Sequence, residues 1–510
     1  MHLSMLLDMA AEGFGDRVAF GSKPDGLTYA GLRRAAARAA AWLSSRAIER
    51  VGLVDVNSVA VPILLYGSSH ARLPFVPVNY RLGDEQLRAI LARTAPSVFV
   101  VDDAVAGRVG RIDGVELVPV TRFFAELATS SSDAVPAPDG NPDDIAVLLF
   151  TSGTTGEPKA AVLRHKHLGS YVIGTVDFMG AGEDEAAMVS VPPYHVAGIS
   201  AVLTSVYAGR RLVYLPAFTP EAWVALARDE AVTQAMVVPT MLGRVLDVLA
   251  RDDERLSHLR HLSYGGGRMP VPVIERALAM LPHVDFVNAY GLTETSSTIA
   301  VLSPDDHRVA IAATDPAVRR RLGSVGRPLP TIEVEIRDPY GIAVGDGESG
   351  EIWVRGDQVA GEYLGRSDAT TDGWFPTRDE GVLDDGYLYL AGRLDDVIVR
   401  GGENISPREI EDVLVAHPAV ADVAVVGLPD TEWGEKVVAA VVVAERATVT
   451  EAELQAWVKV SLRSSKVPQD VTFCDALPYN DTGKLLRRVL RSELAALRRD
   501  RREGARSGSG

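Results

Sequence analysis

Short apolar runs alternate with alanine-rich helical stretches from Leu27 to about Phe124 and again from Ile145 to about Pro304. Runs such as Val51–Val56 are typical of strands buried on both faces, because they lack the polar alternation of a half-exposed strand. Stretches such as Tyr29–Ser45 are long enough for a helix. Strands that alternate with helices in this way predict a layered α/β fold.

The pattern changes twice further along the chain. After Gly323 it becomes a series of strands with tight turns, as in TIEVEIRD, GEIWVRG and DGYLYLAGR. Near Asp395 a third sequence pattern begins. In it, the segment 406–409 (SPRE) predicts the start of a helix, with a capping serine and a proline in the first turn. Because 510 residues are too many for one hydrophobic core, several domains are expected.

Charge and composition exclude several classes of protein. The net charge of −16 argues against nucleic acid or an anionic membrane as the main partner, since both reward a basic surface. No apolar run approaches the roughly 18–20 residues of a transmembrane helix, and the N-terminal segment lacks the basic start of a signal peptide. The expected location is the cytoplasm. The single cysteine, Cys474, excludes an internal disulfide and a cysteine-rich metal site.

Residues 151–159, TSGTTGEPK, combine hydroxyls and glycines with one lysine, directly after the apolar run IAVLLF. Glycines allow successive backbone N–H groups to face one concavity, and such a concavity with hydroxyls and a lysine suits phosphate. The familiar GxxxxGK[ST] loop is absent, because Lys159 follows Pro158 and precedes Ala160. Lysine is scarce, with seven in the whole chain. The segment therefore predicts a phosphate-binding loop of another kind.

Further motifs follow in a characteristic order. They are GGG at 265–267, NAYGLTETSS at 288–297, GWFPTRD at 373–379, AGRLDD at 391–396, GGENISPREIE at 401–411 and NDTGKLLRR at 480–488. Together with TSGTTGEPK, this set closely resembles the adenylate-forming superfamily of acyl-CoA synthetases, luciferases and nonribosomal adenylation domains. The resemblance spans nearly the whole chain and is more specific for the superfamily than for any one substrate.

The resemblance implies a fold and a reaction. The fold is α/β, with a large N-terminal domain of several subdomains (1–393), including a small β-barrel-like part, and a small mobile α+β lid (394–500); residues 501–510 are expected to be a disordered tail. In the reaction, a carboxylate attacks the α-phosphate of ATP to give acyl-AMP and pyrophosphate, and a thiol then displaces AMP. The implied cofactors and substrates are ATP, Mg²⁺ and coenzyme A.

The resemblance also implies roles for individual residues. In the phosphate loop, the residues expected to bind the β- and γ-phosphates are Thr151, Ser152, Gly153, Thr154, Thr155 and Lys159. The residues expected around the adenosine and the α-phosphate are Gly265, Gly266, Asn288, Tyr290, Gly291, Thr293, Asp379 and Arg393. Glu294 is the expected Mg²⁺ ligand, and Lys484 is expected to meet the α-phosphate and acyl oxygens in the transition state.

The remaining expected roles concern the acid and the thiol. His195 and Gly267 are expected to line the acyl pocket, with His195 beside the carboxylate, and a packed histidine without chemistry is the alternative for His195. Asp395 is the expected hinge of the lid. The thiol channel is expected at Gly401, Gly402 and Glu403. Three departures from the usual pattern stand out, namely Ala160 and Arg378 in place of glycines and the atypical Pro376.

The acid is expected to be hydrophobic. In the amino-acid-activating members of this superfamily, an aspartate pairs with the substrate amine. The corresponding segment here, residues 193–200 (PYHVAGIS), contains no carboxylate, so the resemblance disfavours an amino acid. The GGG run, in which Gly267 is the third glycine, is similar to that of long-chain acyl-CoA synthetases. Three alternatives are weighed: an acyl-AMP ligase that uses a carrier protein, a catalytically inactive nucleotide-binding regulator, and a P-loop phosphotransferase, which the missing GK[ST] disfavours. A homodimer is left open.

Overall fold

The computed structural model describes residues 1–129, 140–151, 158–480, 483 and 485–507. The chain divides into two compact units. The first comprises Met1–Val334 and Val354–Phe375, and the second comprises Glu335–Trp353 and Pro376–Gly510. The boundary predicted between residues 393 and 394 lies inside the second unit and stays a prediction for the hinge, as does the mobility of the lid.

The helices are labelled in chain order. They are α1 (Leu3–Phe14), α2 (Tyr29–Ser44), α3 (Ala60–Ala71), α4 (Asp84–Ala92), α5 (Asp103–Val109), α6 (Val120–Thr129), α7 (His165–Thr175), α8 (Val196–Ala208), α9 (Pro220–Asp229), α10 (Pro239–Asp252), α11 (Val271–Met280), α12 (Pro304–Ala312), α13 (Pro316–Arg319), α14 (Pro407–Val415), α15 (Glu451–Ser461) and α16 (Arg487–Ser507).

The strands are labelled in the same way. The first nineteen are β1 (Val18–Phe20), β2 (Leu27–Thr28), β3 (Arg50–Val54), β4 (Phe75–Pro77), β5 (Ser97–Val101), β6 (Val115–Pro119), β7 (Ile145–Thr151), β8 (Lys159–Arg164), β9 (Ala186–Val189), β10 (Arg211–Tyr214), β11 (Gln234–Val237), β12 (His261–Gly265), β13 (Asp285–Leu292), β14 (Ser297–Leu302), β15 (Arg327–Pro328), β16 (Glu333–Arg337), β17 (Ser349–Arg355), β18 (Glu362–Tyr363) and β19 (Arg366–Ser367). The remaining strands are β20 (Phe375–Asp384), β21 (Tyr387–Arg393), β22 (Ile398–Arg400), β23 (Glu403–Ile405), β24 (Val420–Asp430), β25 (Gly434–Val443) and β26 (Asp470–Phe473).

Two large sheets form the first unit. One has the order β15-β14-β13-β12-β11-β9-β10-β1-β2, and its central strands from β13 to β10 are parallel. The other has the order β19-β18-β8-β7-β4-β3-β5-β6 and is parallel from β7 to β6. Strands such as β5, with the sequence SVFVV, are buried along their whole length, as expected for parallel strands covered on both faces.

Helices form a layer between these two sheets. One continuous hydrophobic cluster contains Leu43 of α2, Leu64 of α3 and Leu203 of α8, together with Val98 of one sheet and Leu212 of the other. Burial of each large aliphatic side chain contributes roughly 1.5–3 kcal/mol. The cluster therefore joins both sheets into one core, and the α/β layering predicted from the alternating pattern is confirmed.

The second unit contains two smaller sheets. One has four strands in the order β16-β17-β20-β21 and contains the strands that the sequence predicts after Gly323. The other has the order β23-β22-β25-β24, with β26 beside β25, and α14 and α15 pack on it. Helix α14 begins at Pro407 as predicted, but the Ser406 hydroxyl donates to the Ala391 carbonyl oxygen (2.9 Å) and does not cap the helix.

Helix α16 continues to Ser507, so the backbone is helical through much of the 501–510 segment that the sequence predicts to be disordered. Arginine, glutamate and alanine in RRDRREGAR all have high helix propensity. Across the described ranges, no helix is long and apolar enough to cross a membrane.

Candidate active site

The carboxyl ends of parallel strands meet at one edge of the β13-β12-β11-β9 region, where ligands bind in open α/β sheets. The loop after β9 leads to His195, which directly precedes α8. Strand β12 ends at Gly265, and Gly266 and Gly267 follow it. Strand β13 ends at Leu292, immediately before Thr293 and Glu294. The fold therefore assembles three sequence motifs at one sheet edge.

The loop after β13 is a strained turn. Residues Thr293–Thr295 form a single 3-10 turn, and the Thr295 hydroxyl accepts from the Leu292 N–H (2.9 Å) and donates to the Ser297 carbonyl oxygen (2.8 Å). Ser296 and Ser297 have φ values of 58° and 116°, in a region that residues other than glycine rarely adopt. Such strain persists where the surroundings hold it, and it is common at functional sites.

A segment that carries none of the recognised motifs holds this turn in place. We name residues 358–363 the clamp segment. The Gln358 side-chain amide donates to the Thr298 and Thr295 carbonyl oxygens (2.7 and 3.1 Å). The backbone N–H groups of Ala360 and Gly361 both donate to the Glu294 carbonyl oxygen (2.9 and 3.0 Å). The sequence gives no local sign of this role, because the clamp segment contacts residues some 60 positions upstream.

Tyr363 ends the clamp segment and contacts the Glu294 side chain. Its hydroxyl donates to Glu294 Oε1 at 2.5 Å. Burial, with the nearby Glu294 carboxylate, raises the pKa of Tyr363 well above its ordinary value, so the hydroxyl keeps its proton at neutral pH. The Lys159 ammonium lies 5.6 Å from the centroid of the Tyr363 ring, within cation–π range.

Both ends of the predicted phosphate loop belong to one antiparallel pair of strands. Thr151 at the end of β7 and Lys159 at the start of β8 are register partners, and the Thr151 hydroxyl donates to the Lys159 carbonyl oxygen at 3.4 Å. Ser152, Gly153, Thr154 and Thr155 lie outside the described residues, as does Lys484. The described part of the loop therefore stands next to Glu294, with Tyr363 between them.

The residues expected around adenine lie on β12 and β13. Gly265 is required by the sheet itself, because a Cβ there would collide with the Ala289 carbonyl oxygen. Gly266 has a φ of 76°, which favours glycine. Asn288 is buried, and its side-chain nitrogen donates to the Ser324 carbonyl oxygen (3.1 Å). Tyr290 is buried on the same face of β13 as Asn288.

The residues expected at the acyl pocket surround the start of α8. His195 is half-buried, and its ring centroid lies 4.8 Å from that of Tyr194. Gly267 is exposed at the end of β12. One turn into α8, the Ser200 hydroxyl lies 3.2 Å from that of Ser297. This hydroxyl pair joins α8 to the strained turn, and the sequence gives no indication of it.

In the second unit, the two residues expected at the ribose contact each other. Asp379 and Arg393 are register partners on β20 and β21, and Arg393 Nη1 lies 3.1 Å from Asp379 Oδ1. Thr377, which the motif analysis did not single out, supports both. Its hydroxyl accepts from the Asp379 N–H (3.1 Å), and its carbonyl oxygen accepts from Arg393 (2.8 Å). Pro376 is the second residue of β20, near the strand start, where proline is tolerated.

The backbone conformation at Arg378 explains why glycine is usual at this position. Its φ is 63°, which accounts for the glycine normally found there. The guanidinium lies 3.0 Å from the carboxylate of Asp395, the predicted hinge, and 3.8 Å from that of Glu351. Two acidic partners thus hold the arginine in a conformation that its side chain disfavours.

The residues expected at the thiol channel form a tight hairpin. Gly401 and Gly402 connect β22 to β23 and have φ values of 58° and 84°, as a two-residue hairpin turn with two left-handed residues requires. Glu403 directly follows the turn and pairs in register with Arg400. A Cβ on Gly402 would meet no atom within 4 Å, so its backbone conformation is what demands glycine.

The GKLLRR motif contains a partly buried arginine whose contacts the sequence did not predict. Arg487 donates to both carboxylate oxygens of Glu411 (2.6 and 2.9 Å) and to the Val425 carbonyl oxygen (2.7 Å). Arg487 also lies 3.3 Å from Asp396. These contacts fix the start of α16, three residues after position 484.

The chain is similar to known enzymes over most of its length. The AMP-binding enzyme family matches residues 7–364, and the AMP-binding enzyme C-terminal domain matches residues 409–484. The chain is 35% identical over 474 residues to feruloyl-CoA synthase of an Amycolatopsis species, covering 91% of this chain and 93% of the relative. It is 32% identical to a fatty acid–[acyl-carrier-protein] ligase of Streptomyces coeruleorubidus, covering 91% of both chains.

The fold is also similar to that of solved structures. O-succinylbenzoate coenzyme A synthetase from Bacillus subtilis, in complex with ATP and a magnesium ion, has 27% sequence identity and a TM-score of 0.81, with 95% of this chain and 98% of the other covered. The two units and their motifs thus define an adenylate-forming enzyme. The chain belongs to the AMP-binding enzyme family, within which it is an acid–thiol ligase of the acyl-CoA synthetase type.

Proposed function

We propose that this enzyme activates a hydrophobic carboxylic acid with ATP and transfers the acyl group to coenzyme A. The acid's carboxylate oxygen bonds to the α-phosphorus of ATP, and the bond to pyrophosphate breaks. The thiol sulfur then bonds to the acyl carbon, and AMP leaves with the electron pair of the acyl–oxygen bond. Two covalent steps thus join one acid to one thiol.

One observation carries the proposal: Glu294 and Lys159 both contact Tyr363, and Thr151 is the register partner of Lys159. A glycine- and threonine-rich loop with a carboxylate beside its ends suits a nucleoside triphosphate and the magnesium ion that accompanies it. No group of three acidic, histidine or cysteine ligands occurs in the described ranges. A single carboxylate still fits Mg²⁺, because this ion takes most of its ligands from water and substrate phosphates. When bound, the ion would neutralise phosphate charge.

The chain's own groups would do the rest at the phosphates. Lys159, with Thr151, Ser152, Gly153, Thr154 and Thr155, would donate hydrogen bonds to the departing pyrophosphate, whose negative charge grows as the bond breaks. Thr293 would donate to the α-phosphate. Lys484 would place its ammonium at the α-phosphate and the acyl oxygen in the transition state of adenylate formation.

Roles in adenosine recognition are proposed for the residues that the resemblance singled out. The side-chain nitrogen of Asn288 donates to the Ser324 carbonyl oxygen, so the side-chain oxygen of Asn288 would accept from the amino group of adenine. Tyr290 would stack on the base, with Gly265, Gly266 and Gly291 close to it. Asp379 would accept from the ribose hydroxyls. Its contact with Arg393 supports this role, because the arginine fixes the carboxylate.

The acid is proposed to be hydrophobic, with His195 and Gly267 beside it. Exposure of Gly267 at the end of β12 is consistent with an open pocket wall. Feruloyl-CoA synthase and the fatty acid ligase are both relatives, so aromatic and aliphatic acids both belong in a test panel. Coenzyme A is the proposed acceptor, approached through Gly401, Gly402 and Glu403 after the unit turns about Asp395. A carrier protein is the second candidate, because one relative uses it.

An acid-panel assay of pyrophosphate release, run with and without coenzyme A, tests the proposal. We expect acid-dependent release with one class of hydrophobic acid and a thioester when coenzyme A is added. Lys484→Ala should reduce adenylate formation on the order of 100-fold or more with ATP binding retained, because a transition-state contact affects rate more than ground-state affinity. Release without thioester would favour the carrier protein. Wild-type rates in Lys484→Ala would contradict the role of Lys484.

A further inference from the structure

The Tyr363 hydroxyl donates a short hydrogen bond to Glu294, the proposed metal ligand. We propose that Tyr363 is a positioning residue whose hydroxyl orients the Glu294 carboxylate for the magnesium ion of the bound nucleotide. This inference rests on the metal role of Glu294 in the proposed function. It adds a residue outside every recognised motif to the machinery of the first half-reaction.

The first argument is the number of constraints on one residue. The Tyr363 hydroxyl donates to Oε1 of Glu294 at 2.5 Å, in the range of hydrogen bonds to a charged acceptor. Two backbone N–H groups of the same clamp segment donate to the Glu294 carbonyl oxygen. The clamp segment therefore holds both ends of Glu294, and the bond to Oε1 leaves Oε2 to a metal ion.

The second argument is how the tyrosine itself is held. Tyr363 pairs with Ala161 of β8, and the Leu364 N–H donates to the Ala160 carbonyl oxygen (2.8 Å). Glu362 accepts two hydrogen bonds from Arg164 at the other end of β8 (2.9 and 2.7 Å). Since β8 begins at Lys159, the strand that follows the phosphate loop pairs directly with β18, the strand that carries the tyrosine. Glu294 is thus aligned with that loop.

The third argument is a contrast within the chain. Tyr29 is fully buried, and its hydroxyl contacts the backbone carbonyl oxygens of Arg210 and Ser205 (2.8 and 3.3 Å). Such hydrogen bonds to buried backbone groups stabilise the fold. Tyr363 is half-exposed and donates instead to a charged side chain on the strained turn. A partner that fixes a metal-binding carboxylate belongs to the supporting shell of a metal site, and loss of such partners typically weakens metal binding about 10- to 100-fold.

The test is Tyr363→Phe, which removes the hydroxyl and keeps the ring. Mn²⁺ binding is titrated by electron paramagnetic resonance in the presence of α,β-methylene-ATP, which cannot release pyrophosphate. We expect the Mn²⁺ affinity of the enzyme–nucleotide complex to fall about tenfold or more. In steady state, the KM for the acid should stay within about twofold, and saturating metal should restore most of kcat.

Three variants serve as references. Tyr29→Phe loses a structural tyrosine hydroxyl. Glu362→Gln removes a charge on the same strand as Tyr363 but keeps a side-chain oxygen that accepts from Arg164, so the strand stays anchored. Both variants should bind Mn²⁺ as the wild type does. Glu294→Gln should lose the affinity directly. Adding Tyr363→Phe to Glu294→Gln should cost little more, because residues that act through one another are not additive.

The outcomes separate the two proposals. Wild-type affinity in Tyr363→Phe, with lost affinity in Glu294→Gln, would overturn the positioning role and leave the proposed function intact. An equal loss in Glu362→Gln would also overturn it, since a change elsewhere on the strand would then suffice for the effect. Wild-type affinity in Glu294→Gln would remove the metal role, and the positioning role with it.

Discussion

The buried contact between Arg487 and Glu411 should be the most sensitive charge pair of the second unit. The side chain of Arg487 is 22% exposed and that of Glu411 is 11% exposed, so solvent screens the pair weakly. Replacing Arg487 with methionine keeps the length of the side chain and removes both hydrogen bonds to Glu411 and the bond to Val425. The Glu411 carboxylate would then be buried without its cation.

Removing one partner of a buried pair costs about 3–5 kcal/mol. Because Glu411 keeps the backbone N–H of Val425 as a donor (2.7 Å), the lower end is expected, about 3 kcal/mol. For a domain of this size class, that corresponds to a fall in melting temperature of roughly 6–12 °C. The assay is denaturant unfolding followed by tryptophan fluorescence, with calorimetry to separate the two units.

A matched control lies one turn further along the same helix. Arg491 pairs with Glu435, but its side chain is 48% exposed, so Arg491→Met should cost less than about 1 kcal/mol. Adding Glu411→Gln to Arg487→Met should recover much of the loss, since the buried charge disappears while Val425 keeps an acceptor. If Arg487→Met were no more destabilising than Arg491→Met, the reasoning from burial would be refuted.

Two further predictions concern stability. Burial lowers the pKa of His2 to about 4, that of His165 to about 3 and that of His167 to about 4, so each stays neutral in the folded chain while the unfolded chain takes up protons below about pH 6.5. The free energy of unfolding should therefore decrease from pH 6.5 towards pH 4 by up to about 1.4 kcal/mol per pH unit for each histidine. In urea titrations, His165→Gln should make this decrease shallower. Equal slopes in the wild type and the variant would contradict the prediction. Arg378→Ala should lower the thermal midpoint, whereas Arg378→Gly should change the unfolding free energy by less than about 1 kcal/mol, because glycine adopts a φ of 63° without strain; equal losses would argue against backbone strain at this position.

The sequence by itself determined the local features. Alternating apolar runs predicted the α/β layers, Pro407 marked the start of α14, and the motif order indicated the superfamily. These signals lie within single elements or fixed spacings, so they survive without knowledge of the fold. The expected residues Asp379 and Arg393 contact each other in the structure, although their roles stay proposals.

Tertiary structure alone decided which side chains support these motifs. Tyr363 lies on a two-residue strand whose pairing with β8 joins positions about 200 residues apart, and no periodicity encodes such a register. Ser406 has the sequence of a helix cap, yet the nearby Ala391 carbonyl oxygen takes its hydroxyl. The partner of Arg487 likewise depends on how α14 and α16 pack. Hydrogen bonds between distant segments follow from the packing of whole elements, and local sequence patterns do not report that packing.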